Sequence, residues 1–140
     1  MVETVGKKAD CLKTFINELD ISSQVSVSNK RLEEIAGEKR NYYSAATARA
    51  LSSLPSLMEL ASPLLMNGGL LVCYKGNNCE EELNTAMKVK DKLGFELLSN
   101  REYILSKNII HRIICFKKIN EAIIKLPRKL GFAQKKPFSK

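Results

Sequence analysis

The chain has 140 residues, which allows one domain of ordinary size. Hydrophobic residues make up 44% and charged residues 27%, a mixture that excludes an intrinsically disordered chain. The net charge of +8 favours a polyanionic partner, whereas the longest apolar run, residues 70–74, is far too short for a secretory or transmembrane segment.

The first third of the chain predicts helices alternating with short strands. Apolar residues at a 3.6-residue spacing predict a helix over residues 7–19, and residues 31–35 are expected to form one helical turn. Alternation over residues 25–27 indicates a short strand. Residues 37–41 read as a polar loop, and the small apolar residues 43–48 read as a buried strand.

The middle of the chain carries the clearest helical and strand patterns. A helix is predicted over residues 54–65, ended by residues 67–69, because asparagine and glycine tolerate positive φ. The continuous apolar run at residues 70–74 indicates a strand buried on both faces. Residues 80–93 predict a further helix, which Gly94 closes.

The last part of the chain predicts a strand pair and a basic tail. Residues 95–98 and 102–105 read as one bent strand, and residues 109–116 as another. The short link at residues 106–108 requires an antiparallel pair, since a parallel connection needs a crossover. Residues 117 onward read as a loop-like tail. The element order therefore predicts an α/β fold with a mainly parallel sheet that ends in an antiparallel pair.

Cysteine and histidine usage argues against a metal site. The four cysteines form no C-x-x-C pair, and His111 is the single histidine. Cys73 and Cys115 lie in apolar runs and are interpreted as small buried hydrophobic residues. Free cysteines of this kind suit a reduced, cytosolic compartment.

Basic residues are concentrated at the C-terminus. No acidic residue follows Glu121. The basic residues after it are Lys125, Arg128, Lys129, Lys135, Lys136 and Lys140. Such a segment is either a solvated tail or a surface for a polyanion such as nucleic acid.

Three motifs between residues 47 and 76 carry a family resemblance. They are T-A-R-A-L-S-S-L-P at residues 47–55, P-L-L-M-N-G-G at residues 63–69, and K-G at residues 75–76. This order resembles the GidB family, also called ribosomal RNA small-subunit methyltransferase G. Further pieces in the family's order are E-T-V-G-K-K (3–8), R-L-E-E (31–34), E-E-E-L (80–83), the strand at 111–118, P-R-K-L-G (127–131), and Lys135, Lys136 and Pro137.

The resemblance covers essentially the whole chain and implies a fold and an activity. It implies a Rossmann-like class I methyltransferase domain over residues 1–140, with a basic tail at residues 119–140. The implied reaction is methyl transfer from S-adenosylmethionine to a guanine N7 of 16S ribosomal RNA, in the cytoplasm and without a membrane. N7 is already a nucleophile, so catalysis should depend on positioning, and no catalytic residue is assigned.

The resemblance also implies binding residues. For the methyl donor they are Glu3, Thr4, Val5, Leu32, Glu33 and Arg49. Glu3 stands where a strand-end acid accepts the ribose hydroxyls of an adenosyl group. Lys75, Arg128, Lys135 and Lys136 are expected to meet the RNA backbone, where cations set affinity and salt dependence. His111 is interpreted as structural rather than catalytic.

The sequence departs from the family pattern at several positions. The first strand and the glycine-rich donor turn are absent, Ala48 replaces a serine, Ser44 replaces an acid and Leu126 replaces an aromatic residue. The isolated chain is therefore expected to bind S-adenosylmethionine weakly or not at all.

Three hypotheses follow. The chain is a truncated or split enzyme whose N-terminal fragment is separately encoded, a non-catalytic remnant that binds 16S rRNA or the small ribosomal subunit, or an unrelated Rossmann-like domain. An upstream G-x-G-x-x-G segment in frame would favour the enzyme, and a stop codon would favour the remnant.

Overall fold

A four-stranded sheet organises the chain, with two helices packed against it. The structure, a computed structural model, describes residues 1–106 and 109–138. The helices in this part are α1 (Gly6–Glu18), α2 (Leu32–Glu38), α3 (Leu54–Ala61), α4 (Glu80–Val89) and α5 (Phe132–Lys135). The strands are β1 (Tyr43–Arg49), β2 (Leu65–Gly76), β3 (Phe95–Ser106) and β4 (Ile109–Lys118). The order in the sheet is β1-β2-β4-β3, in which β1 and β2 are parallel and the other neighbours are antiparallel, so the prediction of a mainly parallel sheet is wrong for the described strands.

The core lies between the sheet and helices α3 and α4. Leu71 of β2 and Phe116 of β4 are buried on the face that meets these helices. Met58 of α3 and Val89 of α4 belong to the same core cluster on the helix side and are fully buried. Phe95 meets Phe116 edge to face, with ring centroids 6.5 Å apart. Because side chains alternate along a strand, the residues between these core positions point to the opposite face of the sheet.

Several predicted elements are confirmed. The predicted helix over residues 7–19 is α1, and the turn predicted at residues 31–35 is the start of α2, which runs on into the predicted loop as far as Glu38. The bent strand and its antiparallel partner are β3 and β4, with a register shift between Leu97 and Ser99. Residues 107 and 108 of the predicted link lie outside the described residues.

The boundary between α3 and β2 was predicted wrongly. The helix ends at Ala61 and the strand begins at Leu65, so that residues 67–69 belong to β2 rather than to a helix terminus. Tyr43 pairs with Leu65, whereas Ala45 already pairs with the residue at position 70, so a stretch of β2 bulges out of the ladder. Glycine at positive φ serves a bulge as well as a helix end, and the sequence does not distinguish the two.

The strand predicted at residues 25–27 was also wrong. The structure has instead a single parallel bridge between Val2 and Ser28. Ser28 N–H donates to the Met1 carbonyl at 2.9 Å, and Glu3 N–H donates to the Ser28 carbonyl at 3.1 Å. An alternating segment forms a strand only where a neighbour continues the ladder, and here the pairing ends after this bridge within the described residues.

The C-terminal segment packs onto the domain more closely than a loop-like tail would. Residues 117 and 118 still belong to β4, and Leu126 and Ala133 are buried. The hydroxyl of Ser56 on α3 donates to the Ala133 carbonyl at 2.8 Å. The ammonium of the fully buried Lys118 donates to the carbonyls of residues 62 and 65, each at 2.8 Å. Among the helices described, none is long and apolar enough to cross a bilayer.

Candidate functional site

Two cavities flank the chain segment that follows β1. In an open sheet with parallel strands, ligands bind where the carboxyl ends of neighbouring strands meet. The strand-end cavity has a volume of about 510 Å³ and is lined mainly by Arg49, Tyr74, Lys75, Gly76, Tyr103 and His111. The N-terminal cavity has a volume of about 120 Å³ and is lined mainly by Glu3, Thr4, Leu32, Glu33, Leu51 and Gln134. Ala50 lines the first cavity and Leu51, the next residue, lines the second, so both cavities adjoin the same segment of chain.

The N-terminal cavity brings together residues that are far apart in the sequence. Glu3 and Thr4 come from the end of the Val2 bridge, and Leu32 and Glu33 from the first turn of α2. All four had been predicted to contact a methyl donor. Val5, the N-cap residue of α1, is not among the lining residues. The predicted donor residues are thus divided, because Arg49 lines the strand-end cavity instead.

The carboxylate of Glu3 is oriented by the backbone N–H of Val5. Its Oε1 accepts a hydrogen bond from Val5 N–H at 2.8 Å, at the start of α1. Its carbonyl accepts from the side-chain amide of Asn29 at 2.7 Å. Within residues 1–106 and 109–138, Oε2 has no hydrogen-bond partner and is available to accept from a ligand.

Glu33 has a structural partner. The side chain is 9% exposed, and its Oε1 accepts from Gly131 N–H at 2.7 Å. This bond joins α2 to the C-terminal segment, 98 residues along the chain. A buried carboxylate that lacked such a bond would be costly, so one oxygen of Glu33 is committed to the fold.

Lys75 also has partners inside the protein. Its ammonium lies 2.8 Å from Glu82 Oε2 and donates to the Ser52 carbonyl at 2.7 Å. The same Glu82 oxygen accepts from Leu54 N–H at 2.8 Å. With 13% of the Lys75 side chain exposed, this cluster fixes the starts of α3 and α4 at the end of β2. The predicted phosphate contact of Lys75 stays a prediction.

Arg49 presents a positive charge to the strand-end cavity. It is the last residue of β1, is exposed, and pairs in register with Tyr74 of β2. Ala50 follows it at φ +53° and turns the chain away from the sheet. No ion pair to Arg49 occurs in the part of the chain that the structure describes. Such a guanidinium can pair with a carboxylate or a phosphate.

The aromatic lining of the strand-end cavity was not foreseen. The rings of Tyr103 and His111 lie 5.6 Å apart, centroid to centroid, with 34° between their planes. Tyr74 lines the same cavity. These rings come from β2, β3 and β4. Their positions near the ends of predicted strands are the feature of the sequence that could have indicated this lining.

The C-terminal cations fall into two groups. Arg128 pairs with the buried Glu59 of α3, with Nε 2.5 Å from Oε1, and lies over the Phe132 ring. Lys135 and Lys136, in contrast, are exposed. The RNA contacts predicted for all three stay predictions, but the guanidinium of Arg128 is already held within the fold.

The cysteines differ sharply in exposure. Cys11 is exposed, whereas Cys73, Cys79 and Cys115 are buried. Burial raises the pKa of the Cys73 thiol to about 12, and burial also raises the pKa of Cys79 and of Cys115. No group of three or more potential metal ligands occurs among the described residues.

At pH 8 we therefore expect one fast-reacting thiol per folded chain. Only the thiolate attacks a disulfide reagent, and a buried thiol with a raised pKa supplies almost none. Titration with Ellman's reagent should show one fast thiol, which the Cys11→Ser variant loses, and four thiols in denaturant. Two or more fast thiols in the folded wild type would contradict the burial of the other three.

Comparison with known proteins gives one consistent family. The family model described as rRNA small subunit methyltransferase G matches residues 1–110. A ribosomal RNA small subunit methyltransferase G from Thermotoga petrophila is 33% identical over 137 residues, which is 98% of this chain and 60% of that protein. The chain thus spans about three-fifths of the length of that curated relative.

Solved structures share the fold at low identity. An rRNA methylase from Streptococcus thermophilus superposes with a TM-score of 0.62 at 13% identity, covering 85% of this chain and 72% of the other. A geranyl diphosphate C-methyltransferase from Streptomyces coelicolor, solved with Mg²⁺, geranyl diphosphate and S-adenosyl-L-homocysteine, has a TM-score of 0.65 at 12% identity, covering 84% and 62%. The predicted Rossmann-like methyltransferase fold is thereby confirmed.

Proposed function

The chain belongs to the rRNA small subunit methyltransferase G family, and from this membership we propose that it acts in methyl transfer from S-adenosylmethionine to a guanine N7 of 16S ribosomal RNA. The observation that carries the proposal is the N-terminal cavity. There Glu3, Thr4, Leu32 and Glu33, brought from two distant segments, face one space beside the carboxyl end of β1. The cellular site of this reaction would be the cytoplasm, where ribosomal subunits are found.

The residues around the N-terminal cavity suit the adenosyl end of the donor. Oε2 of Glu3, the oxygen that Val5 N–H does not bind, can accept from ribose hydroxyls, as strand-end acids do in nucleotide-binding sheets. The side chains of Leu32 and Leu51 offer apolar surface to a base. At about 120 Å³ the cavity is smaller than the roughly 300–1,000 Å³ of typical ligand sites, so it suits one part of the donor.

The chemistry asks little of the protein beyond positioning. When bound, S-adenosylmethionine supplies an electrophilic methyl group on a sulfonium. Guanine N7 carries a lone pair and no proton, so no general base is needed. The protein has to hold acceptor and donor in line, which can lower the activation free energy by several kcal/mol. Arg49 lines the strand-end cavity, where its charge can pair with an RNA phosphate or with the carboxylate of the donor.

The exposed lysines of the C-terminal segment would contact the RNA backbone. Lys135 and Lys136 are exposed on and next to α5, and Gln134 of the same helix lines the N-terminal cavity. Contacts of this kind set affinity and its salt dependence rather than sequence choice.

Replacement of Glu3 by alanine is expected to weaken donor binding by roughly 10-fold or more, because a hydrogen bond to a charged group contributes about 1.5–3 kcal/mol. The measurements are calorimetric titration with S-adenosylmethionine and transfer of labelled methyl groups to unmodified small ribosomal subunits. Borohydride and aniline cleavage then reports methylation at guanine N7. The matched control is Glu18→Ala, an exposed acid at the end of α1.

Two outcomes would oppose the enzyme. If Glu3→Ala and wild type bound the donor equally, the N-terminal cavity would not be the donor site. If the wild type bound 16S rRNA but neither bound the donor nor transferred methyl groups, the alternative would stand, namely a non-catalytic RNA-binding remnant. The net charge of +8 and the exposed lysines support RNA binding under either proposal.

A further inference from the structure

The strand-end cavity has features that donor binding leaves unexplained. Its volume of about 510 Å³ falls within the usual range for ligand sites. Three of its lining residues, Tyr74, Tyr103 and His111, carry planar rings, and Arg49 lines it as well. None of the three rings is required to hold the adenosyl group in the neighbouring cavity.

The register of the sheet explains why these groups converge. Tyr103 of β3 pairs with His111 of β4, which pairs on its other side with Gly76 of β2. Arg49 of β1 pairs with Tyr74, two residues before Gly76. Cross-strand partners share a face, and so do residues two apart on one strand. All five positions therefore lie on the face of the sheet opposite α3 and α4.

Gly76 keeps the space beside His111 open. A Cβ atom built at this position would meet no heavy atom within 4 Å. Every neighbouring position on this face carries a side chain, so the glycine leaves a gap next to the paired rings of Tyr103 and His111. A flat ring system of ligand size could lie there against an aromatic surface.

We infer that the strand-end cavity receives the purine base that accepts the methyl group, stacked on the Tyr103–His111 pair. This inference rests on the proposed function and names the acceptor side of the same site. Unpaired RNA bases are commonly bound by stacking on tyrosine, histidine or arginine planes. The charge of Arg49 suits the phosphate attached to such a nucleotide. Since Ala50 and Leu51 line the two cavities in turn, acceptor and donor would meet at the end of β1.

The test uses the whole chain and a short single-stranded RNA that contains 2-aminopurine, whose fluorescence is quenched by stacking. Gly76→Val places a branched side chain in the gap, its Cβ has no heavy atom within 4 Å, and valine suits a strand. Tyr103→Ala removes one ring of the platform. We expect each variant to weaken the quenching interaction by roughly 10-fold, the scale of one base–aromatic stack. Gly37→Ala, at another glycine with no atom within 4 Å, should behave as wild type.

Circular dichroism melts of all variants check that they remain folded. If Tyr103→Ala does not fold, Gly76→Val still tests the proposal. Unchanged quenching in Gly76→Val, or no quenching by the wild type, overturns the acceptor site. Methyl transfer by the wild type that Gly76→Val leaves intact also overturns it, while the proposed function stands. Quenching that depends on Tyr103 and Gly76 supports the acceptor site even if no methyl transfer occurs, in which case the proposed function alone fails.

Discussion

Replacement of Gly94 by alanine is expected to lower the free energy of unfolding by about 4 kcal/mol, the largest loss for any glycine in the described chain. Gly94 joins α4 to β3 at φ +83°, where a residue with a Cβ is strained. The added Cβ would also lie 2.0 Å from the Asn120 carbonyl oxygen and 2.9 Å from its carbon. That backbone cannot retreat freely, because Ile119 N–H donates to the Gly94 carbonyl at 2.8 Å.

Gly68 offers a matched control for this prediction. It has the same φ of +83°, but a Cβ there would meet nothing within 4 Å. Gly68→Ala should therefore cost only the conformational strain, about 1–2 kcal/mol. Urea denaturation of both variants separates the two contributions. Equal losses would show that the approach of residue 120 to Gly94 is not the source of the destabilisation.

Local patterns in the sequence predicted the order of elements because they reflect local physics. The helical spacing at residues 7–19 and the apolar run at residues 70–74 required no knowledge of distant partners, and both elements are present. Gly94 was expected to end a helix, but its close approach to Asn120 depends on the return of the chain after β4. The same limit explains the wrong start of β2, since a bulge is defined by pairing with β1.

The candidate site was predictable only in part. Resemblance to known motifs selected Glu3 and Glu33, which do line one cavity. The hydrogen bond from Gly131 to Glu33 joins residues 98 positions apart, and no spacing rule could have indicated it. Nothing in the sequence placed His111 in a site, and the interpretation of this residue was structural. Its pairing with Tyr103 follows from the β3–β4 register, which the sequence leaves undetermined.

Replacement of Arg128 by methionine is expected to cost about 3 kcal/mol of unfolding free energy. The Glu59 side chain is 2% exposed, and Arg128 neutralises it through both carboxylate oxygens. Without the guanidinium, the described residues leave this buried carboxylate only a 3.3 Å hydrogen bond from Phe138 N–H. Arg128 also donates to the Lys136 carbonyl at 2.8 Å, so its loss should release the C-terminal segment from α3.

Urea denaturation of Arg128→Met, Glu59→Gln and the double variant measures this pair. We expect the double variant to be more stable than the sum of the single losses implies, because the second change removes the charge that the first leaves unpaired. Lys129→Met, at the adjacent exposed cation, should change stability by less than about 0.5 kcal/mol. A similarly small loss for Arg128→Met would mean that Glu59 is stabilised without it.

Substitutions at Arg128 also distinguish a role in anchoring the C-terminal segment from a role in RNA contact. Lysine keeps the charge but cannot form two parallel bonds to a carboxylate, so Arg128→Lys should still destabilise the fold. If Arg128 acts only as an anchor, folded Arg128→Met and the wild type should show the same salt dependence of RNA binding. Lys135→Ala should instead lower the slope of log Kobs against log salt by about 0.7, the loss of one phosphate contact on single-stranded RNA. If Arg128→Met, while still folded, lowered this slope as much as Lys135→Ala does, Arg128 would belong to the RNA-binding surface.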